Sequence, residues 1–432
     1  MKSILKIIIL FYFSNIYSEN LWDLNRCIDY ALEHNVENKK LELNIDESEI
    51  MINDAKNKFL PNISILSTNS ISSGFQQQMT GENPGVYEEI SSYQNNISLS
   101  ASIPIWTTDA QMLNIKAKKI LKDVELSEIE DYRLKLKSDI ILKYYNILLA
   151  KNKVEIAKNA LEFQRKITEK SRQLHEIGDL SLKDYNDAKC NIIVEEKNLI
   201  VEISNLNRAK LQLKQLLLIE DSTWDIADEK VIPIIEYSLI SIKNIALKNN
   251  YKLLGYKKLD EYYTIERKIF LRNFFPSIYF NYDVGTSAQS ILGSNNIPIV
   301  HQWENNFYQR VSISIQIPII GNSSMYTSIK QSKLNKQRLL YDIESTENNI
   351  RNEIESIYME YLDYISLYYK MIEQCDSLLK QLNFTIDEFE IGKISSFELN
   401  TYKNKYLGAK LECVKCQYEA LYNYKLLNLY IE

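Results

Sequence analysis

From residue 96 to residue 106 apolar and polar side chains alternate. Ile97, Leu99, Ala101, Ile103 and Ile105 fall on one face of an extended chain, and Asn96, Ser98, Ser100 and Ser102 fall on the other. Val311, Ile313, Ile315, Ile317 and Ile319 repeat the device opposite Ser312, Ser314 and Gln316. After Pro276, Ile278, Phe280, Tyr282 and Val284 oppose Tyr279, Asn281 and Asp283; after Pro61 the alternation is weaker, Ile63 and Ile65 against Asn62 and Ser64. A period of two predicts four strands of about ten residues each. The polar segments 74–93 and 285–304 read as the loops joining each pair.

Elsewhere the period lengthens. From residue 107 to 177, and again from 322 to 391, neither Gly nor Pro appears. Nothing local stops a helix there for about 70 residues, or about 105 Å at 1.5 Å per residue. In the second stretch Ile354, Tyr358, Tyr361, Ile365, Tyr368, Ile372, Cys375, Leu379, Leu382, Ile386 and Phe389 recur at spacings of four and three, the seam of a coiled coil. The first stretch keeps that seam less cleanly, with Lys151 and Lys158 at corresponding places. Each stretch closes on the same signal, "EIGDLS" at Glu176 and "EIGKIS" at Glu390. Gly178 and Gly392 are expected to end one helix in a left-handed conformation, and Ser181 and Ser395 to cap the next, making each the turn of an antiparallel hairpin.

These landmarks are a duplication. Leu24–Asn35 aligns with Leu239–Asn250 and Phe59–Ile65 with Phe274–Phe280, both at an offset of 215 residues (24 to 239, 59 to 274). Residues 97–106 align with 311–320, and the two EIG turns with each other, at 214 (97 to 311, 176 to 390). The expected organisation is a signal peptide at 1–18, a first repeat at 19–219, a polar linker at 220–235 and a second repeat at 236–432. Each repeat reads as helix, strand, loop, strand, very long helix, turn and long helix.

Composition narrows the class. An apolar fraction of 45% suits a chain that folds. The opening pairs Lys2 and Lys6 with the apolar run 7–13, the layout of a secretory signal with cleavage expected near Ser18. No later apolar stretch reaches the roughly 18 residues of a spanning helix, so any crossing of a membrane falls to the strands. Apolar on one face and polar on the other is what a barrel with a wet lumen requires, although a soluble sandwich also produces alternation. Four strands cannot close alone, since the smallest membrane barrels use about eight and lipid does not tolerate open edges. The barrel reading therefore demands an oligomer.

A net charge of −6 without a basic block argues against nucleic acid as a partner. Cys27, Cys190, Cys375, Cys413 and Cys416 lack the spacing of a disulfide scaffold and are expected to be mostly isolated core thiols; the C-V-K-C of Cys413 and Cys416 in a helical run is compatible with a metal or redox site, but no second pair lies nearby to favour one. Cys27 follows Leu-Asn-Arg, a poor setting for lipid attachment. His34, His175 and His301 are expected in an early helix, near a tip and in a loop, and no G-x-S-x-G, phosphate loop or H-E-x-x-H is present. No catalytic residue, cofactor or metal is assigned. The tyrosines from Tyr358 to Tyr368 follow helical spacing and are expected to pack.

Taken together, "ALEHN" and "ALKNN", "FLPNIS" and "FFPSIY", "IPIW" and "IPII", and the two EIG turns each followed by Ser and an acidic residue resemble the TolC family of outer membrane efflux proteins over essentially the whole mature length. The resemblance implies a mixed α and β membrane protein: duplicated helical hairpins form a coiled-coil periplasmic tunnel, and four strands per chain contribute to a trimeric, 12-stranded outer membrane β-barrel. It implies a homotrimer in outer membrane lipid that passively exports what an inner membrane transporter delivers through a periplasmic adaptor, in efflux or type I secretion. By the same resemblance Ile177, Gly178, Ser181, Ile391, Gly392 and Ser395 form the tips that meet the adaptor. Asp184 and Glu398, each six residues after its glycine, would ring the entrance aperture, although acidic residues in a first turn also stabilise a helix through its dipole. Thr401 stands where the family commonly has a second entrance carboxylate, and Ile394 where it has a basic gate partner. The competing expectation is a soluble periplasmic coiled-coil adaptor or scaffold whose strands form a small dry sandwich.

Overall fold

A computed structural model describes residues 20–77, 87–107, 109–219, 224–293, 297–319 and 323–431. The expected signal peptide lies outside the described residues. In chain order the elements are β1 (Asn20–Trp22), α1 (Leu24–His34), α2 (Val36–Asn57), β2 (Asn62–Gln77), β3 (Tyr87–Trp106), α3 (Ala110–Glu176) and α4 (Leu182–Leu217). There follow β4 (Trp224–Ile226), α5 (Leu239–Asn249), α6 (Tyr251–Arg272), β5 (Ser277–Ile291), α7 (Ile299–Asn305), β6 (Tyr308–Gln316), α8 (Ser323–Glu390) and α9 (Ser396–Ile431). No helix among the described residues is long and apolar enough to cross a membrane.

The helix expected at the start of each repeat is two helices. Asn35 and Asn250 are extended, at ψ 124° and 119°. Each closes the helix before it, its N–H donating to Ala31 or Ala246, and opens the one after, its Oδ1 accepting from the backbone N–H of Asn38 (2.9 Å) or Leu253 (3.1 Å).

The chain divides into two compact units, and both draw on both halves of the sequence. One comprises the chain up to Leu43, Ser127–Leu254 and Ile343–Glu432; the other comprises Asn44–Leu126 and Gly255–Asp342.

In the first unit β1 and β4 pair in parallel, with Leu21 opposite Asp225. The stretch expected as a linker therefore contains a strand. Around this ladder Trp22, Cys27, Tyr144, Leu148, Leu217, Trp224 and Leu421 form a buried core to which β1, α1, α3, α4, β4 and α9 all contribute. The long helices bury seams, but not quite the expected ones. On α8 the shared positions Ile354, Tyr361, Leu382 and Phe389 are buried, whereas Ile357 and Thr385 are more enclosed than their expected neighbours Tyr358 and Ile386, and Leu379 is exposed. On α3 the buried stripe runs through Ile147, Val154, Leu161 and Thr168 and through Ala150, Ala157, Gln164 and Ser171. Lys151 and Lys158 stand beside it, so the first seam is intact and the lysines only seemed to interrupt it.

The second unit holds an antiparallel sheet in the order β2-β3-β5-β6. Leu99 lies opposite Ile65 and Val284, Ala101 opposite Ile63 and Tyr282, and Phe280 opposite Ile103 and Ile313. The apolar residues thus form one continuous face across four strands. On the other face Ser102 Oγ donates to Asn281 Oδ1 (2.8 Å), and Asn281 Nδ2 donates to Ser314. Among the described residues the isoleucine-rich part of the apolar face is uncovered: Ile63, Ile65, Val311, Ile313 and Ile315 are 62–76% exposed. Among the described residues this is a single sheet with free outer edges on β2 and β6, and the dry-sandwich expectation does not hold.

Three strands are longer than expected, β2 at 16, β3 at 20 and β5 at 15 residues, because they continue through the polar segments assigned to loops, whereas β6 has 9. Gly285 belongs to β5 and pairs with Tyr308, and His301 sits in α7 rather than a loop. Strand β6 stops at Gln316, short of Ile317 and Ile319, where Pro318 has no N–H to offer a ladder. Helical segments of this unit pack through Ala117, Ile120 and Ile265.

Candidate functional site

The two hairpin turns have the geometry their sequences dictate. Gly178 has φ +88° and Gly392 φ +72°, the left-handed region that other residues avoid. At the first turn the N–H groups of Asp179 and Leu180 donate to the carbonyl of Leu174; at the second, Lys393 donates to Glu388 (2.9 Å). Ser181 then caps α4: its Oγ accepts from the Asp184 N–H (3.1 Å) and donates to Asp184 Oδ2 (2.7 Å). Ser395 Oγ accepts from the Glu398 N–H (3.3 Å).

Ile177 and Ile391 are exposed at these turns, and so are Leu182 and Phe397 in the helices that follow. Neither Leu182 nor Phe397 was singled out from the sequence. The signal available was an apolar residue in the first turn of a capped helix, where no interior position is due. Glu398 is exposed, and Asp184 is half-exposed, its carboxylate accepting from the Ser181 hydroxyl.

The hairpins share a core at this end. Ile167 and Leu174 from α3 pack with Leu382 and Phe389 from α8 and Leu399 from α9, and Ile394 and Leu180 lie against them. An isoleucine at position 394 fills that core, where a charge would be stranded. Thr401 Oγ1 donates to the Phe397 carbonyl of its own helix (3.0 Å). Farther along, Lys403 on α9 is buried and donates to Gln164 on α3 (2.8 Å) and Glu195 on α4 (2.7 Å). This triad was also missed, although Lys403 falls on the stripe of Ser396, Leu399 and Asn400 that α9 buries.

The segment after β4 is pinned at several points. Tyr144 donates to the Ala227 carbonyl (2.6 Å), Gln417 to that of Lys230 (2.6 Å) and Tyr361 to that of Pro233 (2.7 Å). Asp225 takes ion pairs from Lys151 (2.8 Å) and Lys210 (3.0 Å). Burial alone would raise its carboxyl, but hydrogen bonds from both lysines and from the Ile226 N–H outweigh that and hold it below the ordinary range.

No group of three or more metal-ligating side chains occurs among the described residues. Cys27 and Cys416 are buried, with burial pushing Cys27 up to about 12, whereas Cys190 is exposed. Cys413 is raised to about 11 by burial and by Cys375, which faces it from α8, so these two are neighbours rather than isolated thiols. His34, His175 and His301 lie in α1, α3 and α7 and do not converge.

No protein-family model matches the sequence, and no curated protein sequence matches it. Solved structures do. The outer-membrane channel OprN superposes with a TM-score of 0.77 at 14% identity over 94% of this chain and 89% of that one. VceC from Vibrio cholerae, an outer membrane protein, gives 0.75 at 13% over 94% of each chain. The Campylobacter jejuni outer membrane channel CmeC gives 0.71 at 15% over 94% and 85%. The chain has the fold of the TolC family of outer-membrane efflux channels.

Proposed function

We propose that the protein is the outer membrane duct of a tripartite efflux or type I secretion system, passively exporting substrates that an inner membrane transporter delivers through a periplasmic adaptor. The observation that carries this reading is the uncovered apolar face of the four-stranded sheet, with β2 and β6 left as free edges. Lipid accepts such a face but not such edges, because each unpaired backbone group costs several kcal/mol there. Three copies joined edge to edge supply twelve strands, enclose the serine and asparagine face as a wet lumen, and leave the isoleucines outward. Export through such a wall needs no catalytic residue.

The tips are assigned to the adaptor. Ile177, Gly178 and Ser181 in one turn and Ile391, Gly392 and Ser395 in the other present a backbone turned through left-handed glycines, and the exposed Ile177, Leu182, Ile391 and Phe397 offer an apolar contact to a partner hairpin. Under threefold symmetry Asp184 and Glu398 each become a ring of carboxylates at the entrance, favouring cations and resisting close approach of the three copies.

Fractionation with reconstitution tests this. The protein is expected in the outer membrane fraction as a heat-modifiable trimer that conducts ions in a planar bilayer. A monodisperse monomer, stable in buffer without detergent, would overturn the reading.

A further inference from the structure

Strand β5 outruns its neighbour: its ladder with β6 ends where Gly285 meets Tyr308, yet it continues to Ile291. Helix α7 serves the backbone edge left above that point. Gln302 Oε1 accepts from the Gln289 N–H (2.8 Å) while its Nε2 donates to the Gln289 carbonyl (2.9 Å), the pair of bonds a neighbouring strand would make. Asn306 Nδ2 donates to the Ser287 carbonyl (2.7 Å). An open edge is thereby covered by side chains.

The helix is also held to one particular face. Trp303 Nε1 donates to Asn95 Oδ1 (3.0 Å), and Thr286 Oγ1 donates to the Trp303 carbonyl (2.7 Å). Thr286 lies opposite Ile97, and Asn95 is the next residue beyond Ile97 on the same side of β3. Thus α7 sits on the apolar face, where the run of isoleucines gives way to asparagine, and not on the serine face.

The height of that run is informative. From Ile97 to Ile105 the strand advances about 27 Å at 3.4 Å per residue, or about 20 Å along the normal at a tilt of about 40°. A membrane barrel's apolar band is about 25 Å tall with aromatic girdles at both borders. Trp303 stands at one end of the run, and Trp106, exposed and opposite Ile278, at the other. Beside Trp303, Ile297 and Val300 are 64% and 60% exposed.

We infer that α7 is an interfacial helix, lying on the lipid side of the sheet at the outer border of the apolar band, with Ile297 and Val300 among outer-leaflet acyl chains and Trp303 as its anchor. The inference rests on the membrane reading above, and its test separates the two. Trp106→Phe protein is reconstituted into vesicles of phosphatidylcholine brominated either near the headgroup or near the acyl terminus. Trp22 and Trp224 are buried in the other unit. Trp303 is expected to lose most of its emission to the shallow quencher and little to the deep one, and Trp303→Phe to remove the quenched component. A second reporter, Leu99→Trp in Trp106→Phe/Trp303→Phe protein, reads the middle of the band and is expected to be quenched by the deep lipid. Quenching at position 99 with none at Trp303 overturns the inference and leaves the membrane reading standing, since α7 would then be covered by protein or stand in water. Quenching at neither position overturns both.

Discussion

Lys403 Nζ stands 2.7 Å from Glu195 Oε1, with the two side chains only 4% and 11% exposed. The contact joins α9 of the second hairpin to α4 of the first, and Gln164 of α3 completes it. A buried pair adds little over apolar residues of the same volume, but breaking one partner leaves a charge without water, at about 3–5 kcal/mol. Lys403→Met should therefore lower the unfolding temperature followed by circular dichroism, and adding Glu195→Leu should restore most of the loss. A single variant as stable as the parent would mean that Glu195 reaches solvent.

Gly178 and Gly392 have open space where a Cβ would point, so substitution there strains only the backbone. The left-handed conformation costs other residues roughly 1–2 kcal/mol each, and asparagine less. Val at both positions should leave trimers intact while reducing adaptor cross-linking and export, and Asn at both should recover much of each. Unchanged export in the Val variant would remove the tip assignment.

Gly285 is constrained by space instead. A Cβ there would come within 2.7 Å of the Tyr308 hydroxyl and 2.8 Å of the Ile97 carbonyl. Gly285→Ala should lower the temperature at which the trimer dissociates on gels, and Tyr308→Ala should not rescue it, because the backbone carbonyl remains.

The Asp225 cluster sets an acid limit. Its folded pKa is depressed, so the stability it contributes is fully present above the unfolded value of about 3.9 and is lost as pH falls through the folded value. Asp225→Asn should lower stability near neutrality and flatten the fall between about pH 4 and the folded pKa. Melting curves across that window decide it; parallel curves for parent and variant would contradict the assignment.

Neutralising the tip carboxylates addresses selectivity. Asp184→Asn with Glu398→Gln should move the reversal potential in a potassium chloride gradient toward zero, with conductance largely kept. No shift would leave both residues as helix-capping groups alone.

The hairpins and the apolar halves of the strands were legible because long runs of one period leave little choice of structure. The upper halves of β2, β3 and β5 were not. There Asn69, Asn95, Ser91 and Gln94 place polar groups on both faces, so alternation vanishes while the ladder continues. Two further elements hid for other reasons: β1 and β4 are three residues each and are specified by one another across the sequence, and α7 spans seven. At the tips the glycines and capping serines were readable locally, whereas Lys403 acquired its meaning from helices far away in sequence.

Because each compact unit takes segments from both halves, a chain ending at residue 219 holds α1 through α4 yet lacks β4, Tyr418 and Leu421 from one core and β5 and β6 from the sheet. The first half has no resting place of its own. The core around Trp22 therefore cannot be complete until α9, at the far end of the chain, has been made.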